Sequence, residues 1–426
     1  MTIEWKAVKE EAIEILREYI TIDTTNPPGL EKPAADFLEN ILKKDGLKTE
    51  TYQAVSERPN LICRLKGDGS KKALILLHHM DVVPVEREKW SVDPFNGRIQ
   101  NGFLWGRGAL DMKGTGIIYL MAFLVAHRLS LPLKRDLIYL AVPDEETGGE
   151  MGAEWLTKNH PDKVGAEYLI NEGGTGWKEG PLSGFNLGIG EKGPLWLRLS
   201  VDGTPGHGSV PVDDNACVRL AKALTRIADF KTPLRIVPEM HTFLDRIGMG
   251  RDISPGALAD HDLLKRPIVA AMFRNTISLT GLKAGQKENV IPSRAEATFD
   301  CRLLPGVDHS SFIKELEEII ADEGIRIDVI MQIEASCSPA ETEIYSVLEG
   351  ILAENYPDAP VLPTISTGFT DSRCFRRLGT HCYGLLPLLI DLEIIGTIHG
   401  HDERLPIHDL EKGIKVIFDM IKGLNT

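Results

Sequence analysis

The stretch "LILLHHMDVVP", residues 74–84, carries an apolar run directly into two histidines and an aspartate. An apolar run of this length is typical of a buried strand. Because side chains alternate between the two faces of an extended strand, we expect His79 and Asp81 to share one face and His78 to point to the other. A metal-binding imidazole usually has a carboxylate nearby that fixes its tautomer, so His79 and Asp81 form a candidate metal site. Taken alone, the pair is equally typical of a structural hydrogen bond.

The sequence around this strand alternates between two patterns. Further apolar runs, "DLIYLAV" and "EYLIN", indicate strands, and segments with helical periodicity lie before and between the runs. This alternation predicts an α/β domain with a mixed, largely parallel sheet and helices on both faces. Ligand sites in such sheets gather beyond the carboxyl ends of the strands. The helical segments are Ala7 to Ile20, Lys32 to Lys44, Lys113 to His127 and Met151 to Asn159.

A different pattern begins near residue 191. Strand-like and helical segments follow each other in the order strand, helix, strand, strand, helix, strand, which predicts a ferredoxin-like α+β domain. The connection 237–273 is too long for a tight loop, so we expect it to contain helices of its own. The first pattern returns near residue 336, which predicts one domain of residues 1–190 and 336–426 and a second, 191–335, inserted into it.

The composition indicates an ordinary globular protein, since 42% of the 426 residues are hydrophobic and 26% are charged. The formal net charge of −14 disfavours nucleic acid as a partner, because phosphate backbones are bound by clustered basic residues. The N-terminal residues show helical spacing without the apolar core of a signal peptide, and no run approaches the roughly 20 apolar residues of a membrane span. The scattered cysteines indicate thiols in a reducing compartment, so we expect a cytoplasmic protein with no membrane partner.

Two downstream motifs carry acidic residues. In "GFLWGRGALDMKGTG", Asp111 precedes a helical segment, a position where aspartate most often only caps the helix. In "LAVPDEETGG", Asp144, Glu145 and Glu146 follow an apolar strand. Three neighbouring like charges repel one another, which favours a bound cation over the alternative of a solvated acidic loop.

Two more motifs complete the set. "YLINEGG" ends a strand-like run in Glu172, and "GTIHGHDERLP" near the C-terminus contains His399 and His401. Imidazole and carboxylate donors without thiolates suit zinc, cobalt or manganese. There are enough such donors for two ions that share one bridging carboxylate. We therefore expect a two-metal centre that activates water for hydrolysis.

The motifs H-x-D-V-V-P, G-R-G-x-x-D-M-K-G, D-E-E-x-G-G and a late H-x-x-D-E occur in this order along the chain. In this combination the sequence resembles the dinuclear zinc peptidases and amidohydrolases that include aminoacylase, acetylornithine deacetylase, succinyl-diaminopimelate desuccinylase and glutamate carboxypeptidase. The resemblance runs from "TIDTTNPPG" near the start to "HGHDERLP" near the end. It implies a zinc metallopeptidase or amidohydrolase with two Zn²⁺ ions, Co²⁺ or Mn²⁺ being alternatives. It also implies a homodimer, with a lid or dimerisation role for the inserted domain.

The resemblance implies roles for individual residues as well. It implies a general base at Glu145, a carboxylate at Asp81 that orients the metal-binding histidine, and a cis peptide bond after Asp111. His207 in "GTPGHGSVP" matches the histidine that reaches the active site of the other subunit and helps to hold the oxyanion. The implied metal ligands are His79 and Glu172 on one ion, His399 on the other, Glu146 beside the base, and Asp111 bridging both ions.

Two further positions are expected to meet substrate. Arg373 in "STGFTDSRCF" resembles the family's arginine near the substrate carboxylate, with an ordinary surface ion pair as the alternative. Asn275 is expected to contact substrate from the inserted domain. His78 is bulkier than the small residue usual before the metal-binding histidine, and we expect it to be hydrogen-bonded beneath the site.

The substrate class is inferred from a single position. Glu172 stands where the dipeptidase branch more often has aspartate, which favours the aminoacylase and carboxypeptidase branches. We therefore expect hydrolysis of an amide bond in an N-acyl-amino acid or in a short peptide with a free C-terminal carboxylate. A dipeptidase or deacetylase of the same family is one alternative, and a non-catalytic metal-containing binding protein is an alternative from a different class.

Overall fold

The computed structural model describes residues 3–180 and 183–425. Its strands are β1 (Thr49–Gln53), β2 (Pro59–Leu65), β3 (Leu74–His79), β4 (Arg98–Gln100), β5 (Phe103–Trp105), β6 (Leu137–Val142), β7 (Tyr168–Trp177), β8 (Gly184–Glu191), β9 (Gly193–Asp202), β10 (Gly206–His207), β11 (Thr276–Ala284), β12 (Val290–Ile291), β13 (Arg294–Leu303), β14 (Ile325–Gln332), β15 (Ser336–Cys337), β16 (Val361–Ser366), β17 (His381–Ile390) and β18 (Arg404–Pro406). Its α-helices are α1 (Trp5–Thr21), α2 (Lys32–Lys44), α3 (Lys113–Arg128), α4 (Ala153–Asn159), α5 (Pro161–Val164), α6 (Ala216–Asp229), α7 (His241–Arg246), α8 (Pro255–Ala259), α9 (Pro267–Met272), α10 (His309–Ile320), α11 (Glu343–Asn355), α12 (Ser372–Arg376), α13 (Leu392–Ile395) and α14 (Leu410–Gly423).

The chain forms two compact units. The larger unit comprises Met1–Gly190, Ser338–Thr364 and Thr370–Thr426, and the smaller comprises Glu191–Cys337 and Ile365–Phe369. The sequence pattern did not predict that residues 365–369 belong to the smaller unit. Within that unit, the Arg302 guanidinium lies 5.6 Å from the centroid of the Phe369 ring, a contact between residues far apart in the chain.

The larger unit is built on a mixed sheet with the strand order β1-β2-β6-β3-β7-β17-β8, and β16 pairs with β8. Strand β3 runs parallel to β6 and β7, and β7 runs parallel to β17. Strands β1, β2 and β8 make antiparallel pairs. The parallel strands have their carboxyl ends at one edge of the sheet, where ligand sites of such folds lie. The predicted mixed α/β sheet is confirmed.

Strand β3 is covered on both faces. Ile75 and Leu77 pack with Leu156 of α4 in one apolar cluster. His78 points the other way and lies against α3, where a Cβ atom on Gly116 would come within 2.3 Å of the imidazole. All six residues of β3 are buried, as expected for a strand between two helical layers.

The smaller unit contains an antiparallel sheet with the strand order β11-β13-β9-β14. The four strands of this sheet and the two longest helices of the unit occur along the chain in the order β9, α6, β11, β13, α10 and β14, which is the predicted ferredoxin-like arrangement. Leu197 and Phe299 of the sheet pack with Leu220 of α6 and Phe312 of α10. The segment 237–273 contains the short helices α7, α8 and α9, as predicted. Within the described part of the chain, no helix has both the length and the apolarity needed to cross a bilayer.

Candidate active site

His79 is the last residue of β3, and both of its ring nitrogens are engaged. Nδ1 donates to the backbone carbonyl of Asp81 at 2.9 Å, and the Asp81 carboxylate is farther away at 3.6 Å. Nε2 faces Asp111 Oδ1 at 3.0 Å and Glu172 Oε1 at 3.7 Å. A hydrogen bond from Nδ1 leaves Nε2 as the nitrogen that can bind a cation, which is the usual arrangement of a metal-binding histidine.

The Asp81 carboxylate holds the acidic loop that follows β6. Its oxygens accept the backbone N–H groups of Glu145 and Glu146, both at 3.1 Å, and the side-chain amide of Asn26 at 2.8 Å. The sequence assigned this carboxylate to the ring of His79, but the ring lies closer to the Asp81 carbonyl. The side chain therefore positions the two glutamates, and the backbone of the same residue orients the histidine.

Asp111 lies between two histidines that are distant in the chain. Its Oδ1 is 3.0 Å from His79 Nε2, and its Oδ2 is 3.0 Å from His399 Nε2. The same nitrogen of His399 is 3.2 Å from Glu146 Oε2. The peptide bond from Asp111 to Met112 is cis, as the resemblance implied. A carboxylate that directs one oxygen to each histidine has the geometry of a ligand that bridges two cations.

Two overlapping groups of donor atoms lie close enough together to hold ions. One group is His79, Glu145 and Glu172, and the other is His79, Asp111 and Glu146, with donor atoms within 4.8 Å of one another in each. Burial, and then the charge of Asp111, raises the pKa of Glu172 to about 8. Burial, and then the charge of Glu172, raises the pKa of Glu145 well above its usual range. The carboxyls are thus crowded and short of positive charge, which bound cations would supply.

Comparison with known proteins identifies the family. The model of Peptidase family M20/M25/M40 matches residues 75–423. The chain belongs to this family. The probable carboxypeptidase S-like 2 of Dictyostelium discoideum is 30% identical over 387 residues, which are 85% of this chain and 74% of the relative. Aminoacylase-1 of Sus scrofa is 28% identical over 424 residues, which are 97% of this chain and 95% of the relative.

A solved structure shows the same fold. The M20 family metallo-carboxypeptidase Sso-CP2 from Sulfolobus solfataricus matches this chain with a TM-score of 0.77 at 21% identity, and the match covers 100% of both chains. The predicted family and the predicted class of enzyme, a metallopeptidase or amidohydrolase, are confirmed.

Asp144 differs from the two glutamates that follow it in this M20 peptidase. Its Oδ1 lies 2.7 Å from Arg58 Nη1, and its Oδ2 accepts the backbone N–H of Met151 at 2.8 Å. Its backbone has a left-handed φ of 76°, which turns the chain between β6 and the glutamates. The structure thus assigns Asp144 to the support of the loop and presents only the glutamates to the donor cluster.

His78 occupies the predicted place beneath the site. It is buried, and its Nε2 lies 3.3 Å from the hydroxyl of Tyr19. Burial, and then the charge of His79, lowers the pKa of His78 to about 3, so its ring is neutral at physiological pH. It lies on the opposite face of β3 from His79 and contributes no donor to either group.

Arg373 is buried in α12, so the alternative of a surface ion pair is wrong. Its Nη2 donates to the carbonyl of Gly148 at 2.6 Å, and its Nη1 donates to the carbonyl of Thr370 at 3.1 Å. The first contact ties α12 to the loop that carries the two glutamates. A role in binding the substrate carboxylate stays a prediction.

His207 and Asn275 belong to the smaller unit. His207 lies in β10, which pairs with β12, and its Nδ1 accepts the backbone N–H of Ser209 at 3.2 Å. Nδ1 also lies 2.7 Å from the hydroxyl of Ser209. When Nδ1 of a neutral ring accepts from these groups, the ring proton is on Nε2, which is then a hydrogen-bond donor. The buried Asn275 accepts the backbone N–H of Leu304 at 2.9 Å through its side-chain oxygen. The predicted contacts of both residues with substrate stay predictions.

Sequence reasoning missed Glu403, which lies four residues after His399. This fully buried carboxylate accepts the backbone N–H groups of Leu110 and Asp111 and pairs with Arg107. A signal was present, because an acid and an arginine stand inside two of the motifs that carry the site. Asn26, in the "TNPPG" stretch, was missed because nothing near it in the sequence points to Asp81.

Proposed function

We propose that this M20 peptidase hydrolyses the amide bond of an N-acyl-amino acid, or of a short peptide with a free C-terminal carboxylate, at a centre of two divalent ions. The observation that carries the proposal is the position of Asp111, which directs one oxygen to His79 and the other to His399. The similarity to an aminoacylase and to a probable carboxypeptidase supports this substrate class.

The donor set fits the metal ions that the family implies. Its donors are imidazole nitrogens and carboxylate oxygens, which suit Zn²⁺ first and Co²⁺ or Mn²⁺ as alternatives. Glu146 Oε1 is buried and has no hydrogen-bond partner among the described residues, so a ligand is needed to satisfy it. We assign His79 and Glu172 to one ion, His399 and Glu146 to the other, and Asp111 to both.

Glu145 is assigned as the general base. Its backbone N–H is held by the Asp81 carboxylate, and its side chain lies in one cluster with His79 and Glu172, where a carboxylate can both accept and return a proton. When bound, the two ions would polarise the substrate carbonyl and lower the pKa of water towards about 7. The Glu145 carboxylate takes a proton as water adds to the carbonyl carbon, and it delivers that proton to the amine nitrogen as the C–N bond breaks.

Glu145 also falls within one group of possible metal donors, together with His79 and Glu172. We assign it to proton transfer because Glu146, not Glu145, lies within 3.2 Å of the second histidine. One carboxylate cannot ligate an ion and accept a proton from water at the same time. Adjacent acids in the loop thus divide the two tasks.

The smaller unit is proposed as a lid or dimerisation domain of a homodimer. In that assembly, the Nε2–H of His207 would donate to the oxyanion in the partner's site. Arg373 and Asn275 are proposed to contact the substrate. The cytoplasmic location inferred from the cysteine pattern stays a prediction.

The test is hydrolysis of a panel of N-acyl-amino acids and dipeptides by the zinc-loaded protein, before and after chelation. Glu145→Gln should lower kcat by about 10²- to 10⁴-fold while both ions stay bound. Glu150→Gln is the matched control, because Glu150 is exposed in the same loop. Cleavage that survives complete removal of metal would refute the proposal. Binding of two ions without cleavage of any panel member would favour the metal-containing binding protein instead.

A further inference from the structure

Glu403 is a buried carboxylate whose two oxygens accept four hydrogen bonds. Oε1 accepts the backbone N–H groups of Leu110 and Asp111 at 2.7 and 3.0 Å. Oε2 accepts the backbone N–H of Gly108 at 3.1 Å and Arg107 Nη1 at 2.6 Å. The carboxylate is thus wrapped by the loop that ends in the bridging aspartate.

Arg107 extends this cluster to the loop of His399. Its guanidinium is 2% exposed, and its Nη2 donates to the carbonyl of Gly400 at 2.7 Å. The backbone N–H of Gly106 also donates to the carbonyl of Glu403 at 2.9 Å. Glu403 and Arg107 therefore fasten the residue after His399 to the backbone of Asp111, although almost 300 residues separate the two loops.

A buried ion pair of this kind contributes little net stability, because desolvation offsets most of the attraction. Its effect on the positions of the neighbouring metal ligands is larger. Metal–ligand distances in protein sites are expected to lie within about 0.2 Å of their standard values. Loss of a residue that orients a ligand typically weakens metal binding by about 10- to 100-fold.

The two halves of the metal centre are supported differently. His79 is oriented by the Asp81 carbonyl and stands at the end of a strand in the central sheet. His399 has a left-handed φ of 58° and lies in a loop, with its side chain half exposed. The His399 side therefore depends more on tertiary contacts than the His79 side does.

We propose that Glu403 and Arg107 are positioning residues that set the spacing between Asp111 and His399, and thereby the affinity for the second ion. Neither residue belongs to the donor groups, so each acts through the backbone of a neighbouring ligand. The inference rests on the proposed two-metal centre and adds to it the order in which the two ions are lost. When this support is weakened, the His399-side ion should leave while the His79-side ion stays.

The test is Glu403→Gln. A glutamine keeps the volume but replaces one oxygen by an NH₂ group, which then faces two hydrogen-bond donors whichever way the amide is turned. We expect the affinity for the second Zn²⁺ to fall by about 10- to 100-fold, with the first Zn²⁺ changed by less than about 3-fold. Zinc titration against a competing chelator measures both affinities, and kcat should recover when zinc is raised to saturation, with an unchanged KM.

Asp136→Asn is the matched control. Asp136 also accepts a backbone N–H, from Gly67 at 3.0 Å, and pairs with an arginine, Arg64, at 2.9 Å. It precedes β6 and therefore lies at the opposite end of that strand from the glutamate loop. This variant should bind two ions with the affinities of the parent protein.

Arg107→Lys is a second test, since a lysine keeps the charge but has one nitrogen in place of the two that bind Glu403 and Gly400. It should weaken the second ion in the same direction. Two-ion binding by Glu403→Gln with parental affinities would overturn the inference. Equal loss of both ions in Glu403→Gln and Asp136→Asn would overturn it too, because that outcome reports general destabilisation. If the parent protein itself binds no zinc, the proposed function fails instead.

Discussion

The side chain of Asp81 offers a direct test of how the glutamate loop is held. Its carboxylate accepts the backbone N–H groups of Glu145 and Glu146 and the amide of Asn26, and it is completely buried. In Asp81→Asn the shape is retained, but one oxygen becomes an NH₂ group. At least one buried N–H of the loop then loses its acceptor.

The magnitude follows from that lost acceptor. A buried donor left without a partner costs about 1–3 kcal/mol. If this cost displaces Glu145 from its working position, then at about 1.4 kcal/mol per tenfold change the kcat falls by about 5- to 150-fold. The orientation of His79 should be preserved, because its Nδ1 donates to the backbone carbonyl of Asp81, which the substitution keeps.

The assay measures kcat, KM and zinc affinity for the parent protein and for Asp81→Asn. We expect a lower kcat and an unchanged affinity for the more tightly bound Zn²⁺. An unchanged kcat would refute the loop-holding role. A loss of the tight zinc as large as the loss of kcat would show that the carboxylate orients His79, as the sequence had suggested.

Two further predictions concern the smaller unit. Burial, and then the charge of Arg302, lowers the pKa of Lys192 to about 7, so between pH 7 and the unfolded value of about 10.4 the unfolded chain binds more protons at this residue. The free energy of unfolding of the parent protein, measured with denaturant and compared with that of Lys192→Met, should therefore rise with pH across that window. Lys222→Met, which changes an exposed lysine, is the control. If the parent and Lys192→Met show parallel pH profiles, this prediction is wrong. His207→Ala should lower kcat far more than it raises KM. The control is His261→Ala, which should change neither constant; like His207, His261 accepts through Nδ1 the backbone N–H of the residue two positions later. If His207→Ala also leaves both constants unchanged, the oxyanion role is wrong.

Much of the architecture was predictable because it depends on local pattern. The apolar run of 74–79 had to be buried, and period-two alternation placed His78 and His79 on opposite faces. In the structure His78 lies against α3 and His79 lies next to the Asp111 carboxylate, as that alternation required. The mixed sheet and the ferredoxin-like order of the smaller unit followed from the same kind of pattern.

The candidate site was predictable only as a set of residue types. Imidazoles and carboxylates at the ends of strands indicated a metal centre, and the structure brings His79, Asp111, Glu146, Glu172 and His399 together. The partners of those residues were not predictable. The contact of Arg373 with the carbonyl of Gly148, for example, joins residues more than 200 positions apart, and no motif indicated it.

The sequence by itself determined which atoms are available for chemistry and on which face of a strand they lie, because residue type and strand period are local properties. Only the tertiary structure decided how those atoms are held. It divided the work of Asp81 between its carboxylate and its carbonyl, separated Asp144 from the glutamates beside it, and placed Glu403 under Asp111. These contacts join residues tens to hundreds of positions apart. Their geometry depends on the packing of the whole sheet, which no short motif contains.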